Sequence, residues 1–525
     1  LGTIVTSDEG YSGQNFNPTV ATTRVDGSIK YGLQGHKDYA VFVKSQINST
    51  TDLYNMAKNI NSGFEVYVNY ILDLGTSTVL RIHSDDELKT LIGAGDAVFN
   101  GSFNGNGKMI EVTVNDISNL VNPSNATIGN DISQAQRFVG LFGNVGENSV
   151  IHNFDYHILA GVVLDEGIVF ASNDEQAMGF VAHVNKGTIK TINMQVLGTI
   201  RGGVEDSAGT IAGYNSGTIS DVVVTLKNDN TLYDSNFKAT LFGKNVGAVC
   251  GYNVGTIGSQ FNDGVIVNMS SGVVSNYDND STNLVGFQAV GGISGVNDGT
   301  VLNVSASLNG KITTVFNKSQ WVHVDSTDLS LVSSPDVGGI VGVNNNNVYG
   351  CSVTFGTSSV WNVQGNLGGV AGTNYGVIGA SSSQSKITVI LNRNIPSSFS
   401  GAISNHVPEN FGGIAGVNVG ELAGGEKFGL IENATVLQNA TIQVSASGSA
   451  GGIVGVNSGF VSKVTYTLSE GYGLIGKTVG GIAGTNFGSD TNAVASIEFA
   501  EAIIEGTLGN ANTMHVGGIA GTSYY

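Results

Sequence analysis

The sequence predicts an all-β protein, a right-handed parallel β-helix of about 11–13 coils with a short N-terminal capping helix. The chain has 525 residues, with 76 glycines and only 5 prolines, which suits β-structure with many tight turns. The string GGIVGVNSG at 451–459 returns as GGIAGVNVG at 412–420, GGVAGTNYG at 368–376 and GGIAGTNFG at 480–488. A unit that recurs about every 30 residues is typical of stacked, solenoid-like architectures.

Two apolar columns run through the aligned repeats. One column lies four residues before the repeat asparagine: Val181, Ile211, Val249, Ile293, Ile340, Val370, Ile414, Ile453, Ile482 and Ile519. The other lies three residues earlier: Met178, Ala208, Val246, Val290, Val337, Leu367, Phe411, Ala450, Val479 and Val516. An odd separation in a regular strand places residues on opposite faces. We therefore expect the glycine pair between the columns to form a bend that turns both inward.

The asparagine of each repeat precedes a turn. The column comprises Asn185, Asn215, Asn253, Asn297, Asn344, Asn374, Asn418, Asn457 and Asn486. A β-branched, alternating stretch follows the turn, as in GTIKTINMQV at 187–196 and GTISDVVVTL at 217–226, and predicts a strand with one buried face. We expect the asparagines to stack in a hydrogen-bonded turn ladder. The alternative is a row of ligand-binding amides.

Three regions are predicted along the chain. Residues 1–50 carry no repeat signal and form an extended arm or strand segment, 51–137 form an N-terminal cap of short helices and the first coils, and 138–525 form the repeat β-helix. Within the cap, the spacing of Leu53, Met56, Ala57 and Ile60 indicates one apolar helix face. Such a helix can cover the N-terminal edge of the solenoid.

A second short helix is predicted in the cap. Ser84 is followed three residues later by Glu87, ahead of Leu88, Leu91 and Ile92. This pattern is typical of a capping box that opens a helix. It explains the neighbouring acidic residues and His83 better than a metal or acid–base cluster does.

Several strings resemble the GLUG motif of bacterial surface and secreted proteins. These are VGLFG at 139–143 and the VGGI-x-G-x-N-x-G pattern followed by a TI or TV strand. DLYNMAKNINSG at 52–63 resembles the short capping helix of that family, and FNGSFNGNGKMI at 99–110 resembles its glycine-rich turn, with Asn104 where the family usually has Asp. The resemblance runs from about residue 50 to the C-terminus. It implies a β-helical architecture of the kind found in adhesins and in non-catalytic protease repeats.

Charge and cysteine content narrow the function classes. With 22 Lys and Arg against 41 Asp and Glu, the net charge is −19, and nucleic-acid binding, which needs clustered Lys and Arg, is not expected. The sequence has no run of about 18 apolar residues, so no membrane span is predicted.

Cys250 and Cys351 are too few for a disulfide framework or a zinc site, and Cys250 is expected to be a packed core thiol. Because the chain starts at Leu1, we interpret it as a mature or trimmed fragment.

Insertions between repeats are the predicted binding segments, because loops on a rigid scaffold usually carry function. The segment 311–336 contains Trp321 and His323, and the segment 226–245 contains Tyr233 and Phe237. An exposed aromatic ring can stack on a sugar. The alternative is that these rings pack on the wall of the solenoid.

Metal binding is a weaker hypothesis. Asp278, Asp280 and Thr282 alternate as ligands of a calcium loop do, but the string lacks the glycine and the distal glutamate of an EF-hand. An exposed insertion loop is the alternative, and no other cofactor is predicted.

A further cluster lies in IHNFDYHIL at 151–159. We expect Asp155 and His157 on one strand face and His152 on the other. Two ligands on one face do not make a metal site by themselves.

The leading functional hypothesis is a non-catalytic extracellular protein, a rigid β-helical stalk or adhesin segment that presents insertion loops at a bacterial cell surface. Its expected partners are glycans or proteins of a host or neighbouring cell. A first alternative is a self-assembling head-to-tail filament subunit. The chain stops at VGGIAGTSYY, partway through a repeat, and under this alternative an uncapped last coil pairs with the N-terminal arm of a neighbour. Truncation of a longer protein explains the same ending equally well.

A second alternative is a polysaccharide-active β-helix enzyme. Such an enzyme needs converging carboxylates in a groove. Asp221, Asp298 and Glu421 share no repeat column, and the sequence contains no H-E-x-x-H, G-x-S-x-G or phosphate-loop string. We therefore predict that the chain is not an enzyme.

Overall fold

The computed structural model describes most of the repeat region and parts of the N-terminal region. The described residues are 3–5, 22–23, 29–30, 42–62, 68–83, 91–113, 140–158, 163–164, 176–196, 199–201, 206–226, 240–260, 264–269, 283–314, 335–357, 360–363, 365–380, 382, 385–394, 407–420, 429–488 and 495–524.

The described strands stack mainly into three long sheets, which we call the first, second and third walls. The first wall has 19 strands: Thr3–Val5, Phe42–Ile47, Val68–Leu72, Val79–His83, Ser102–Thr113, Val150–Ile158, Thr188–Val196, Thr218–Leu226, Thr256–Gly258, Val265–Met269, Thr300–Leu302, Val304–Leu308, Asn347–Tyr349, Ser352–Phe355, Val377–Ile378, Ile387–Leu391, Leu430–Gln438, Phe460–Leu468 and Ser496–Ile504. The second wall has 14: Val163–Leu164, Gln176–Gly179, Thr199–Arg201, Asp206–Gly209, Thr240–Gly247, Asn283–Gly291, Lys311–Thr314, Asp336–Gly338, Val360–Asn362, Asn366–Gly368, Asn410–Gly412, Ser449–Gly451, Thr478–Gly480 and His515–Gly517.

The third wall has 11 strands, each of which ends at or near the repeat asparagine position. They are Phe142–Val145, Ala182–Asn185, Ala212–Asn215, Cys250–Asn253, Ser294–Asn297, Val341–Asn344, Ala371–Asn374, Ala415–Asn418, Val454–Asn457, Ala483–Phe487 and Ala520–Tyr524. Two small sheets complete the described strands: Thr22–Thr23 with Ile29–Lys30, and Ile442–Gln443, Gly473–Ile475 and Thr507–Leu508.

Successive coils pair in parallel and in register, which confirms the predicted parallel β-helix. In the third wall, for example, Asn344 pairs with Asn374 and Asn374 with Asn418. Among the described residues the third wall alone stacks 11 coils, and the first-wall strands Phe42–Ile47, Val68–Leu72 and Ser102–Thr113 stack in parallel ahead of them.

Both predicted apolar columns face the interior. In the coil that contains Asn344, Val337 and Ile340 are each 0% exposed. The glycine pair between them bends the chain from the second wall into the third, as expected. The glycines are required because the walls touch there: a Cβ on Gly338 would lie 2.0 Å from the carbonyl oxygen of Val341, closer than side-chain carbons approach backbone.

The first wall contains a feature that alternation did not predict. One residue per coil has positive φ in many coils: Asn153, Thr191, Asp221, Asn303, Asn433, Lys463 and Phe499. These residues stack, because the residues that flank Thr191 pair with those that flank Asn153 and Asp221. The kink inserts one residue, so the buried positions in Thr188–Val196 are Ile189 and then Ile192, three residues apart.

The N-terminal helix Thr50–Asn61 is present, and Leu53, Met56, Ala57 and Ile60 form its buried face, as predicted. Ser49 is the N-cap, and its side chain accepts a hydrogen bond from the backbone N–H of Asp52. At the other end, Asn61 Oδ1 accepts from the backbone N–H groups of Gly93 and Ala94, each over 2.9 Å. The helix is thereby tied to the first coil.

The N-terminal region also contributes strands. Phe42–Ile47 pairs in parallel with Val68–Leu72, and Thr3–Val5 pairs antiparallel with Phe42–Ile47. At least this part of the predicted arm lies on the first wall of its own chain. Ser84 and Glu87, and therefore the second predicted helix, lie outside the described residues.

Candidate functional site

The repeat asparagines form one continuous ladder inside the molecule. Each Nδ2 group donates to Oδ1 of the asparagine one coil further on, over 2.7–2.8 Å, from Asn185 to Asn486. The last step is longer, since Asn486 donates to Ser523 Oγ over 3.4 Å. All donors point toward the C-terminal coils, so the amide dipoles are aligned and reinforce one another.

Most ladder amides are also bonded to their own turn. Asn374, which is fully buried, donates from Nδ2 to the carbonyl of Gly376 over 3.1 Å, and its Oδ1 accepts from the Gly376 N–H over 3.3 Å. These contacts use both ends of the amide within the protein. The geometry is that of a structural turn ladder and not that of a row of amides offered to a ligand.

A second polar column runs along the outside, where the second and third walls meet. We call it the outer seam. Its second-wall positions are Ser207, Asn245, Ala289, Asp336, Asn366, Asn410, Ser449 and Thr478. Its third-wall positions are Tyr214, Tyr252, Val296, Val343, Thr373, Val417, Val456 and Thr485.

Side chains join the two walls across the seam at two places. Thr373 Oγ1 donates to Asp336 Oδ1 over 2.6 Å. Further along, the hydroxyls of Ser449, Thr478 and Thr485 lie 2.7–3.2 Å from one another. The seam is therefore a connected hydrogen-bond network over several coils.

Asp336 is the ionisable second-wall member of the seam. Burial raises the pKa of its carboxyl to about 6, although hydrogen bonds from Thr373 and Asn366 favour the charged form. Asn366 Nδ2 donates to Asp336 Oδ1 over 2.9 Å, and Asn410 Nδ2 donates to Asn366 Oδ1 over 3.0 Å. A carboxyl group with a raised pKa in a network is a candidate functional group.

A tyrosine stack lies on the seam several coils earlier. The rings of Tyr214 and Tyr252 are stacked with centroids 5.9 Å apart. The Tyr252 hydroxyl donates to Asp298 Oδ2, and Asn345 Nδ2 donates to Asp298 Oδ1 over 2.6 Å. Because the rings stack on each other along the coil direction, they reinforce the wall and do not form a flat platform for a sugar.

The expectation for His152 is wrong. In Val150–Ile158 the buried residues are Ile151, Phe154, Tyr156 and Ile158, so His152 lies on the outer face together with Asp155 and His157. The reason is the positive φ of 65° at Asn153, which shifts the alternation by one residue. Burial and the neighbouring Lys190 lower the pKa of His152. Within the described residues, no group of three or more His, Cys, Asp and Glu side chains is arranged to hold a metal ion.

Both cysteines are free and buried. Burial raises the pKa of Cys351 to about 12 and that of Cys250 further still. Because the thiolate is the nucleophilic form, neither thiol is activated. Cys250 is the packed core thiol that the sequence predicts.

One apolar cavity lies between the first and second walls, lined by Phe355, Leu367, Leu391, Phe411 and Ile442, with Arg393 beside them. Its volume is about 10 Å³, which is about the space of one water molecule. It is too small for a sugar ring.

The residues predicted to bind a ligand or calcium lie outside the described residues: Trp321, His323, Tyr233, Phe237, Asp278, Asp280 and Thr282. In the part of the chain that the structure describes, no helix is long and apolar enough to cross a membrane.

The outer seam was not predicted from the sequence. Its signal was present but weak, because the column mixes Ser, Asn, Ala, Asp and Thr instead of repeating one residue. The residue before the second apolar column is polar in most coils, and that regularity could have indicated a second polar column.

No family model matches the chain, and neither a curated protein nor a solved structure matches it. The resemblance to GLUG repeats therefore rests on the residues quoted above.

Proposed function

We propose that the chain is a non-catalytic extracellular structural or adhesive protein, a rigid β-helical stalk that presents insertion loops at a bacterial cell surface. The observation that carries this proposal is the unbroken third wall of 11 parallel strands with its internal amide ladder. Backbone and side-chain hydrogen bonds join each coil to the next, which favours a stiff rod. Eleven coils at about 4.8 Å each give a rod of roughly 50 Å.

The way insertions join the stack supports loop presentation. The chain leaves the first wall after Leu226 and enters the second wall at Thr240, which pairs with Thr199 of the preceding coil. After Thr314 it returns at Asp336, which pairs with Ala289. The register is kept across both insertions. A scaffold that keeps its register while its loops vary in length suits recognition.

The proposal is tested by binding to an array of glycans and matrix proteins. Two double variants remove the candidate aromatic residues: Trp321→Ala with His323→Ala, and Tyr233→Ala with Phe237→Ala. We expect at least one of them to lose about tenfold or more in affinity, with an unchanged melting temperature. The control is Phe499→Ala, because Phe499 is 78% exposed on the last described first-wall strand.

Equal binding by all variants would contradict loop-based adhesion. Shortening of any glycan during the assay would instead support the polysaccharide-active enzyme.

A second candidate is a self-assembling filament subunit, in which the N-terminal arm of one chain pairs with the strands of another. The N-terminal arm would have to give up the pairing of Thr3–Val5 within its own chain. Deletion of residues 1–50 is expected to abolish assembly, and filaments that persist would exclude this role of the arm.

A further inference from the structure

The carboxyl of Asp336 ends a directed chain of hydrogen bonds in the outer seam. Asn410 donates to Asn366, Asn366 donates to Asp336, and Thr373 donates to the same carboxyl oxygen, Oδ1. One coil earlier the paired residue is Ala289, whose side chain can neither donate nor accept. Asp336 is thus the final acceptor of this chain of amide and hydroxyl donors.

Both walls contact this residue: Asn366 of the second wall and Thr373 of the third wall each donate to its carboxyl. A Cβ on Gly372 of the third wall would lie only 2.8 Å from the Cα of Asp336, so the backbones are in direct contact. The titratable group that faces Asp336 is Tyr375, whose pKa is raised by burial and then by the Asp336 charge. Among the described residues no Lys, Arg or His forms an ion pair with Asp336. Within the described part of the chain this carboxylate has neutral donors and no cationic partner, so its charge is costly.

We propose that Asp336 makes the outer seam proton-sensitive, so that the second and third walls are held together more tightly when this carboxyl takes up a proton. The protonated carboxyl can still accept from Thr373 and Asn366 through Oδ1, and it no longer places an uncompensated charge between the walls. The β-helix then contains a local element that mild acid strengthens.

The direction of the pH effect follows from linkage. The pKa of Asp336 is raised from 3.8 to about 6 in the folded protein. The folded state therefore binds more protons than the unfolded state between these values. The stabilisation is complete below about pH 4 and is lost as the pH rises through about 6. The expected behaviour is opposite to that of a carboxylate held in a salt bridge.

The test is native-state hydrogen exchange of the full chain between pH 5 and pH 7, corrected for intrinsic exchange rates. The reporting strands are Asp336–Gly338, Asn366–Gly368 and Ala371–Asn374. We expect their protection to be about tenfold greater at pH 5 than at pH 7 in the wild type. The Asp336→Asn variant keeps the acceptor oxygen but cannot ionise, so the pH dependence should disappear. A wild type without this dependence, or a variant that retains it, would overturn the proposal.

Two further variants separate titration from a structural role. Thr373→Val removes a donor that favours the charged form, and the neighbouring seam positions Val343 and Val417 already carry valine. The midpoint of the pH dependence should therefore move to higher pH, and an unchanged midpoint would count against the proposal. Asp298→Asn replaces a carboxyl outside this hydrogen-bond chain and should leave the pH dependence of the three strands unchanged. A change equal to that of Asp336→Asn would assign the effect to another group.

Discussion

The inner amide ladder and the outer seam both run along the coils, but they are built differently. The ladder repeats one residue, and its members from Asn185 to Asn457 are fully buried. The seam mixes hydroxyls, amides, a carboxyl, an alanine and four valines, and several members are partly exposed. Donors in the ladder point toward the C-terminal coils, whereas Asn410 and Asn366 donate toward the N-terminal ones.

This difference shows how burial restricts the residue type at a repeated position. An amide in the interior must satisfy its donors and its acceptor within the protein, and a copy of the same residue in the next coil does so at each step. At the partly exposed positions of the seam, such as Asn366 and Asn410, water can replace a missing partner, so the residue type there is free to vary. The ladder therefore holds the coils in register. At the seam, a single coil can carry a titratable side chain that the other coils lack.

The largest effect is expected where the walls of the seam touch. A Cβ in Gly372→Ala would lie 2.4 Å from the backbone nitrogen of Val337, so backbone must move, at a cost of about 3 kcal/mol or more. Gly518→Ala is the matched control, because its Cβ would meet nothing within 4 Å. Urea midpoints measured by circular dichroism check the difference. Equal losses in the two variants would show that the close wall contact is not required.

The next effect compares the ladder with the seam directly. Asn374→Ala removes the partner of the buried Asn344 and Asn418 amides and should lower the free energy of unfolding by about 2 kcal/mol. Asn410→Ala, in the seam, should cost about 0.5 kcal/mol because water can replace its bonds. Urea denaturation of both variants tests this ranking. A larger loss at Asn410 would reverse our interpretation of the two columns.

The smallest effect concerns the kink in the first wall. Thr191 is exposed with φ of 54°, and asparagine tolerates this region better than a β-branched residue. Thr191→Asn should therefore raise the free energy of unfolding by about 0.5–1 kcal/mol. The reverse change one coil earlier, Asn153→Thr, should lower it by at least as much. Thermal melts of the two variants suffice, and a gain from Asn153→Thr would contradict the strain argument.

The sequence predicted the features that repetition makes visible. The columns that contain Ile340 and Val337 are uniformly apolar, so their burial followed from pattern alone. The capping helix followed from the spacing of Leu53, Met56, Ala57 and Ile60. In each case an apolar residue recurs at a fixed spacing, so variation at one position does not hide the pattern.

Two features that depend on backbone geometry, the kink of the first wall and the outer seam, were not predicted. The kink at Thr191 is occupied by Asn, Thr, Asp, Lys and Phe in different coils, so no residue type marks it. Only the three-residue step between Ile189 and Ile192 indicates it, and missing that step placed His152 on the wrong face. The seam was not predicted because it forms between two strands that a bend brings together. The sequence of either strand alone does not indicate this contact.

Negative-stain microscopy of the purified chain at several concentrations tests the central claim most directly. A stack of eleven coils with an N-terminal cap predicts isolated rods of about 50–80 Å whose length does not change with concentration. Long fibres of constant width would contradict the stalk account and would make assembly the function.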